Sequence, residues 1–420
     1  MKKLLLLCLV LLGGVMQVSA DNYLKGTWDN WVEHKFTYLE NDKEGTGIET
    51  VTINLPANQT YYFGIQAGTN YYSIDATMSS GSSTDYTFYT NKSNATIITD
   101  LAGDYVFRLK WYNGIPHLTV IYPSDEEIVV HFENHSSWSE VAGYRYNEYY
   151  GREKNWPGSV LSGNSLNTGY YDYTVTKNNN GVYNKFKFNN NNNGSETNAV
   201  SIDYSASEYW VYYDENEESE NKYKVTTTVP ANFSYSRSVT SGKYGTICLP
   251  YDATVAGATV YKIASKIMDG VNFVGVNLET VTNLEAGKAY IFKATSSTLT
   301  ATLTGNYTSA SAGYGMMGNL APESIPVTAG YYIVKNNKIY KAVSNVTCGQ
   351  YKGYITLEGL NTNARGVNFM GFEDETTGIA NVDVDANVDV DAPMYNLAGQ
   401  RVSKNYKGVV IVNGKKMLNK

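Results

Sequence analysis

Cysteine and histidine are almost missing from this chain, which has three of the first and four of the second among 420 residues. That scarcity excludes a good deal of chemistry. No HExxH, CxxC or other Cys/His spacing of a zinc site occurs, so no metal is expected. No G-x-S-x-G turn presents a nucleophile, and no glycine loop precedes a helix in the pattern that cradles phosphate. His131 and His135 stand four apart, but they flank the end of a predicted strand rather than sharing a helix face, and surface or loop positions are expected for both. Charged residues are also few, at 17%, and the formal net charge is −7 with no basic patch. An acidic chain without clustered Lys and Arg lacks what nucleic-acid phosphates require. Beyond the N-terminus no run is apolar enough to cross a bilayer, and no long stretch keeps a helical period.

Residues 1–20, MKKLLLLCLVLLGGVMQVSA, read as a secretory signal peptide: two lysines, an apolar run, then small residues at Val18-Ser19-Ala20. A secreted or cell-surface protein is therefore expected, starting near Asp21. Loss of Lys2 and Lys3 would take the formal charge from −7 to −9. Cys8 falls inside the signal, in the wrong context for a lipid anchor. Cys248 and Cys348 remain, and export permits a disulfide between them. Two buried free thiols are the alternative, and sequence separation does not decide.

What the chain has instead is tyrosine, 38 residues of it, with 37 glycines. Tyrosine and β-branched residues suit pleated, half-exposed surfaces. Short alternating runs recur throughout, and about 400 residues exceed one core. The expected fold is all-β: tandem immunoglobulin-like β-sandwich modules joined by acidic linkers, with a small C-terminal β-hairpin. Residues 21–124 form the first sandwich, closing on two runs around Asn113-Gly114, a strong hairpin signal. Residues 125–215 form the second. The run DENEESE, five acids in seven residues, opens a linker at 216–225. Residues 226–372 make a third, β-rich domain without Trp or His, with a hairpin at Asn336-Asn337. A second acidic linker at 373–392 repeats NVDVDA, which lacks the glycine and glutamate of an EF-hand loop. Residues 393–420 are the terminal hairpin, whose last 20 residues hold six Lys or Arg and no acid.

Candidate function concentrates in Ser137–Val160. On a strand, Tyr144 and Tyr146 point to one face, about 6.5–7 Å apart, which is of the order of one sugar unit. A pyranose stacks its apolar C–H face on an aromatic ring, while its hydroxyls need polar partners. Trp156, on the Trp156-Pro157-Gly158 turn, supplies a third, angled plane. The other reading of Tyr-x-Tyr is core filling, against which stand the tyrosine hydroxyls and the polar flanks Arg145, Asn147 and Glu148.

The order of a strand, Trp138-Ser139, Tyr144-Arg145-Tyr146, Trp156-Pro157-Gly158 and FNNNNNGSET resembles the starch-binding modules of carbohydrate-binding family 26. The resemblance covers about 90 residues and implies a non-catalytic β-sandwich binding starch or related α-glucans. It further implies an α-glucan platform of Tyr144, Tyr146 and Trp156, with polar contacts from the loop after the Phe188-Asn189 strand. There the family's Gln-Thr is Glu196-Thr197, and a carboxylate accepts from hydroxyls but cannot donate. The first module is similar, through LKGTWDNW, to immunoglobulin-like modules that accompany starch-degrading proteins. Trp28 is assigned to its core, and Trp31 and Trp111 are further surface candidates. The third domain, through GKYGTICLPYD and LEAGKAYIFKA, resembles a β-rich domain of secreted bacterial proteins, and the tail resembles sorting signals that dock on a secretion-system receptor. Neither an enzyme nor a cofactor is expected. Two other readings stay open: a surface adhesin or structural protein, and a small glycoside hydrolase. The last needs two carboxylates at a set distance, and 40 acids offer no preferred pair.

Overall fold

The computed structural model describes residues 21–80, 85–178, 181–192, 194–217, 220–343, 345–366 and 368–371, with 393–396, 400–403, 406–412 and 415–419 toward the C-terminus. The expected signal peptide and the acidic linker at 373–392 lie outside them. Regular structure among the described residues is β throughout, apart from a 3-10 turn at Thr27–Asp29. None of these residues forms a helix long and apolar enough to cross a membrane. Two compact units result: one holds residues up to Ser236 with Thr302–Gly305, the other Arg237–Ala301 and the chain from Asn306 onward.

The first unit contains two sandwiches. In the first, one sheet includes Asn22–Gly26, Gln59–Ala67 and Ala95–Thr99, and the other Gly47–Leu55, Gly103–Tyr112 and Ile115–Ile121. Alternate apolar residues meet between them, Leu24, Phe63 and Ile97 against Phe107, Leu109 and Leu118. Asn113-Gly114 closes the Tyr112–Ile115 hairpin with φ of 50° and 77°. Positive φ at both central residues is what a type I′ turn demands.

The second sandwich packs Glu127–Glu133, Tyr170–Thr176 and Glu208–Tyr213 against Ala142–Asn147 and Lys185–Asn189. Phe132 and Phe188 stack across the core with ring centroids 4.1 Å apart. The acidic run here is not a linker. Tyr223–Thr226 pairs antiparallel with Glu208–Tyr213, so the expected linker at 216–225 ends inside a strand of the second sandwich rather than between two modules. Tyr223 and Val225 pack on the second core, and Lys224 gathers the acids, 2.8 Å from Asp214 and 3.0 Å from Glu217.

Arg145 and His131 also depart from expectation, because both are buried. Arg145, 2% exposed, points inward between the two sheets. Its guanidinium makes a bidentate pair with Glu153, donates to Thr176 O at 2.7 Å and Tyr204 Oη at 3.2 Å, and lies over the Tyr183 ring. A polar residue between two outward tyrosines must face inward, and here the core supplies its counter-charge. His131 Nδ1 sits 2.7 Å from Asp172, with Nε2 3.6 Å from Glu208 and the ring 5.0 Å from that of Trp210. Burial alone would lower its pKa, but Asp172 and Glu208 outweigh burial and hold it up to about 9.

A folded pKa above the ordinary 6.5 means that the stabilisation is fully present below pH 6.5 and is lost as pH rises through 9. Unfolding in urea is therefore expected to show stability falling between those limits by on the order of 3 kcal/mol. His131→Gln is expected to flatten that fall; an unchanged slope would refute the assignment.

The outer face of the first sandwich is not open to water where it meets the second. Phe107, Arg108, Leu109 and Lys110 are all buried, against the usual alternation of a strand with one wet face. Arg108 Nη2 donates to Arg152 O at 2.9 Å and lies 3.2 Å from Tyr183 Oη, and Asn178 Nδ2 donates to Tyr122 O at 2.8 Å. Ile121, Val182 and Tyr183 form a small apolar cluster across the boundary.

In the second unit, a sheet containing Tyr244–Cys248, Ala258–Asp269, Asn272–Val281 and Ala289–Ala294 meets one of Met316–Asn319, Tyr332–Lys335, Lys338–Lys341 and Lys352–Ile355. Asn336-Asn337 closes its hairpin with φ of 49° and 68°. Cys248 and Cys348 are buried free thiols, so no disulfide forms. Burial pushes their pKa values up to about 12 and about 11, which leaves them protonated and unreactive. The C-terminal hairpin Gly408–Val412/Lys415–Asn419 is widened to four strands by Met394–Asn396 and Arg401–Val402.

Candidate functional site

From Gly143 to Tyr146, strand Ala142–Asn147 alternates between buried and half-exposed residues. Gly143 and Arg145 face the core, where a Cβ on Gly143 would lie 2.6 Å from the Tyr173 ring. Tyr144 and Tyr146 therefore face outward, opposite Lys187 and Lys185 of the neighbouring strand. Their rings lean together, with centroids 5.5 Å apart and planes 32° from parallel, closer than the strand repeat alone predicts. Each covers part of the other from water.

Trp156 joins them from the following turn. Its ring centroid is 5.2 Å from that of Tyr144, at an interplanar angle of 67°. Gly158 explains how the turn comes so near: at φ +97° a Cβ would fall 2.1 Å from Gly143 O. Asn189, fully buried, fixes the turn by donating from Nδ2 to Pro157 O at 2.9 Å. The turn carrying Trp156 is thus fixed by backbone contact and one buried amide, and the three rings pack on one another.

An open cleft of about 480 Å³ lies over these rings. Lys187, Glu196, Asn147 and Glu148 rim it from the second sandwich, and Glu40 to Lys43 from the first. Lys187 Nζ is 2.7 Å from Glu196 Oε1, so the rim offers a cationic donor beside the carboxylate acceptor. That pairing supplies the donor which Glu196 alone lacks. Burial pushes the Tyr144 phenol up to about 12 and raises that of Tyr146, keeping both protonated as hydroxyl donors and acceptors.

Among the residues singled out from sequence, Tyr144, Tyr146, Trp156, Glu148 and Glu196 come together on this cleft. Thr197 does not line it: it is 6% exposed, and its Oγ1 accepts from Phe188 N at 3.1 Å within the sheet. Trp31 and Trp111 belong to the first sandwich and do not line the cleft either. Trp111 packs on that core, edge to face with Tyr72 at 5.4 Å. Trp28 is half-buried against the same core, 6.0 Å from the Phe63 ring. Lys187 also lines the cleft, and the Lys-Phe-Lys-Phe alternation at 185–188 marks it as outward on the strand beside Tyr144. The segment 40–43 carries no signal linking it to residues a hundred positions later. Among the described residues no cluster of three or more His, Cys, Asp or Glu has the arrangement of a metal site.

No protein-family model and no curated protein matches the chain. Among solved structures, one described as "Ligand induced structure of AmyP-SBD" is similar over 29% of this chain and 93% of that one, at 11% identity and a TM-score of 0.18. At that score the likeness carries no argument.

Proposed function

We propose that this chain binds starch or related α-glucans without cleaving them, at the cell surface or in the medium after export. The observation that supports the reading best is the set of three accessible rings on one cleft, two tilted by 32° and the third standing at 67° to its neighbour. Apolar sugar faces stack on such rings, and a platform of unequal planes suits a chain that curves, as an α-linked glucan does. Flat ribbons call for coplanar rings. Around the platform, the Lys187–Glu196 pair, Glu148 and the two phenols serve the hydroxyl rim.

Binding rather than hydrolysis is favoured by the state of the carboxylates. Glu40 is held by Arg152 at 2.7 Å and Glu196 by Lys187 at 2.7 Å, which suits fixed acceptors better than a proton donor. An open platform of this kind corresponds to a Kd on the order of 10 μM to 1 mM.

The full chain is expected to be retarded in native gels containing amylopectin and to run freely in gels containing hydroxyethylcellulose. Free migration in both, or equal retardation in both, would overturn the assignment.

A further inference from the structure

We propose that the first sandwich completes this site: Asn41 and Lys43 bind the hydroxyls of a glucan segment beyond the sugars stacked on the rings, so the ligand is an oligosaccharide lying across both sandwiches. This rests on the glucan reading above.

The segment reaches the cleft because strand Thr37–Asn41 is bulged. Tyr38 pairs with Glu49 and Glu40 with Ile48, which leaves Leu39 without an opposite residue. A bulge re-aims the chain and its side chains. Here it turns Leu39 and Glu40 toward the short strand Gly151–Arg152, which itself pairs with Tyr146 and Asn147. Leu39 O accepts from Arg152 Nη2 at 3.0 Å, and the Glu40 carboxylate accepts from Arg152 N at 2.5 Å and Nη1 at 2.7 Å. The approach is so close that a Cβ at Gly151, where φ is +84°, would sit 2.9 Å from Glu40 Oε1 and 3.0 Å from Leu39 Cδ2. Glu40 is thus the bolt that sets one wall against the other.

Beyond the bolt, Asp42 makes the wall rigid. It is buried, its Oδ1 accepts from Glu44 N at 3.0 Å and Thr46 N at 2.9 Å, and its Oδ2 accepts from Tyr112 Oη at 3.1 Å. Lys110 Nζ adds a charge partner 3.4 Å away. With Asp42 anchored inward, its neighbours Asn41 and Lys43 are exposed and both line the cleft. Lys43 N donates to Glu148 O at 3.0 Å, and Lys43 Nζ lies 4.0 Å from the Tyr149 ring centroid and 3.7 Å from Glu148. The two walls therefore meet at that end. Asn41 Oδ1 accepts from Tyr38 Oη at 3.2 Å, which orients an amide with two N–H donors of its own.

Rings alone satisfy only the apolar faces of a sugar, and the rim hydroxyls need both donors and acceptors. Lys187 and Glu196 provide them on the second sandwich, and Asn41 and Lys43 provide them on the first. Because hydrogen bonds fix the two walls, little ordering is required when a ligand spans them.

The experiment is calorimetric titration of the full chain with maltose, maltotriose, maltotetraose and maltohexaose. Affinity is expected to climb with length for the unmodified protein. Asn41→Ala/Lys43→Ala is expected to keep maltose affinity while losing about fivefold or more for the longer sugars. Both residues are exposed, so folding is checked simply by an unchanged thermal midpoint, with Asn41→Asp/Lys43→Gln as a second, milder pair. Wild-type affinities at every length in the double variant would overturn the composite site while leaving the platform standing. No binding of any maltooligosaccharide by the unmodified chain would remove the glucan reading, and this inference with it.

Discussion

Alanine at Tyr144, Tyr146 and Trp156 together is expected to abolish retardation by amylopectin. Ring stacking contributes about 0.5–1.5 kcal/mol per contact. Three lost rings then amount to about 2–4 kcal/mol, or roughly a hundredfold in affinity. Starting from a weak site, that puts binding below detection. The fold is expected to survive, because none of the three belongs to the core cluster of the second sandwich, and they pack chiefly on one another at 5.2 and 5.5 Å. Native gels with and without amylopectin, run beside thermal unfolding, separate the two effects. Retention by a folded triple variant would show that the glucan sits elsewhere, and a collapsed thermal midpoint would show that the rings are core after all.

A second large effect is expected from Glu153→Ala. Arg145 would stay buried between the sheets, still bonded to Thr176 O and Tyr204 Oη but with its counter-charge gone. Stranding one member of a buried pair costs about 3–5 kcal/mol, far more than deleting a surface ion pair. The urea midpoint should fall accordingly. Glu153→Leu combined with Arg145→Met, which removes both charges and keeps volume, is expected to recover much of that loss. Since Arg145 lies between the two platform tyrosines on one strand, Glu153→Ala should also weaken amylopectin retention, and the double substitution should restore part of it. A Glu153→Ala protein as stable as the original would end the argument.

How much of this was legible depended on range. The Asn113-Gly114 and Asn336-Asn337 hairpins were readable because a two-residue turn with positive φ leaves a local signature. Tyr144 and Tyr146 were readable as one face because strand alternation is also local. The polar flank misleads for the complementary reason: the sequence shows the charge of Arg145 but not that Glu153 and Tyr204 meet it and make burial tolerable. His131 is the same case, with Asp172 and Glu208 far along the chain. The acidic run at 214–220 looked like a solvated tether, since nothing nearby announces that Tyr223–Thr226 returns to the sheet and that Lys224 collects two of the acids. Least visible of all was the contribution of Asn41 and Lys43. It depends on one unpaired residue in a strand, and a bulge has no composition of its own.

The face bearing Arg108 and Lys110 has a consequence for how this chain can be cut and recombined. A break between residues 124 and 125 would bare Val182 and Tyr183, strip Arg108 of its partners on the second sandwich and remove Glu40 from beside the platform. Each half would keep its own core yet inherit a raw, mismatched flank. What could be moved intact into another protein is the pair of sandwiches as a single cassette that runs past Thr226 to take in Asn232 and Phe233, which pack on Tyr170, Trp210 and His131.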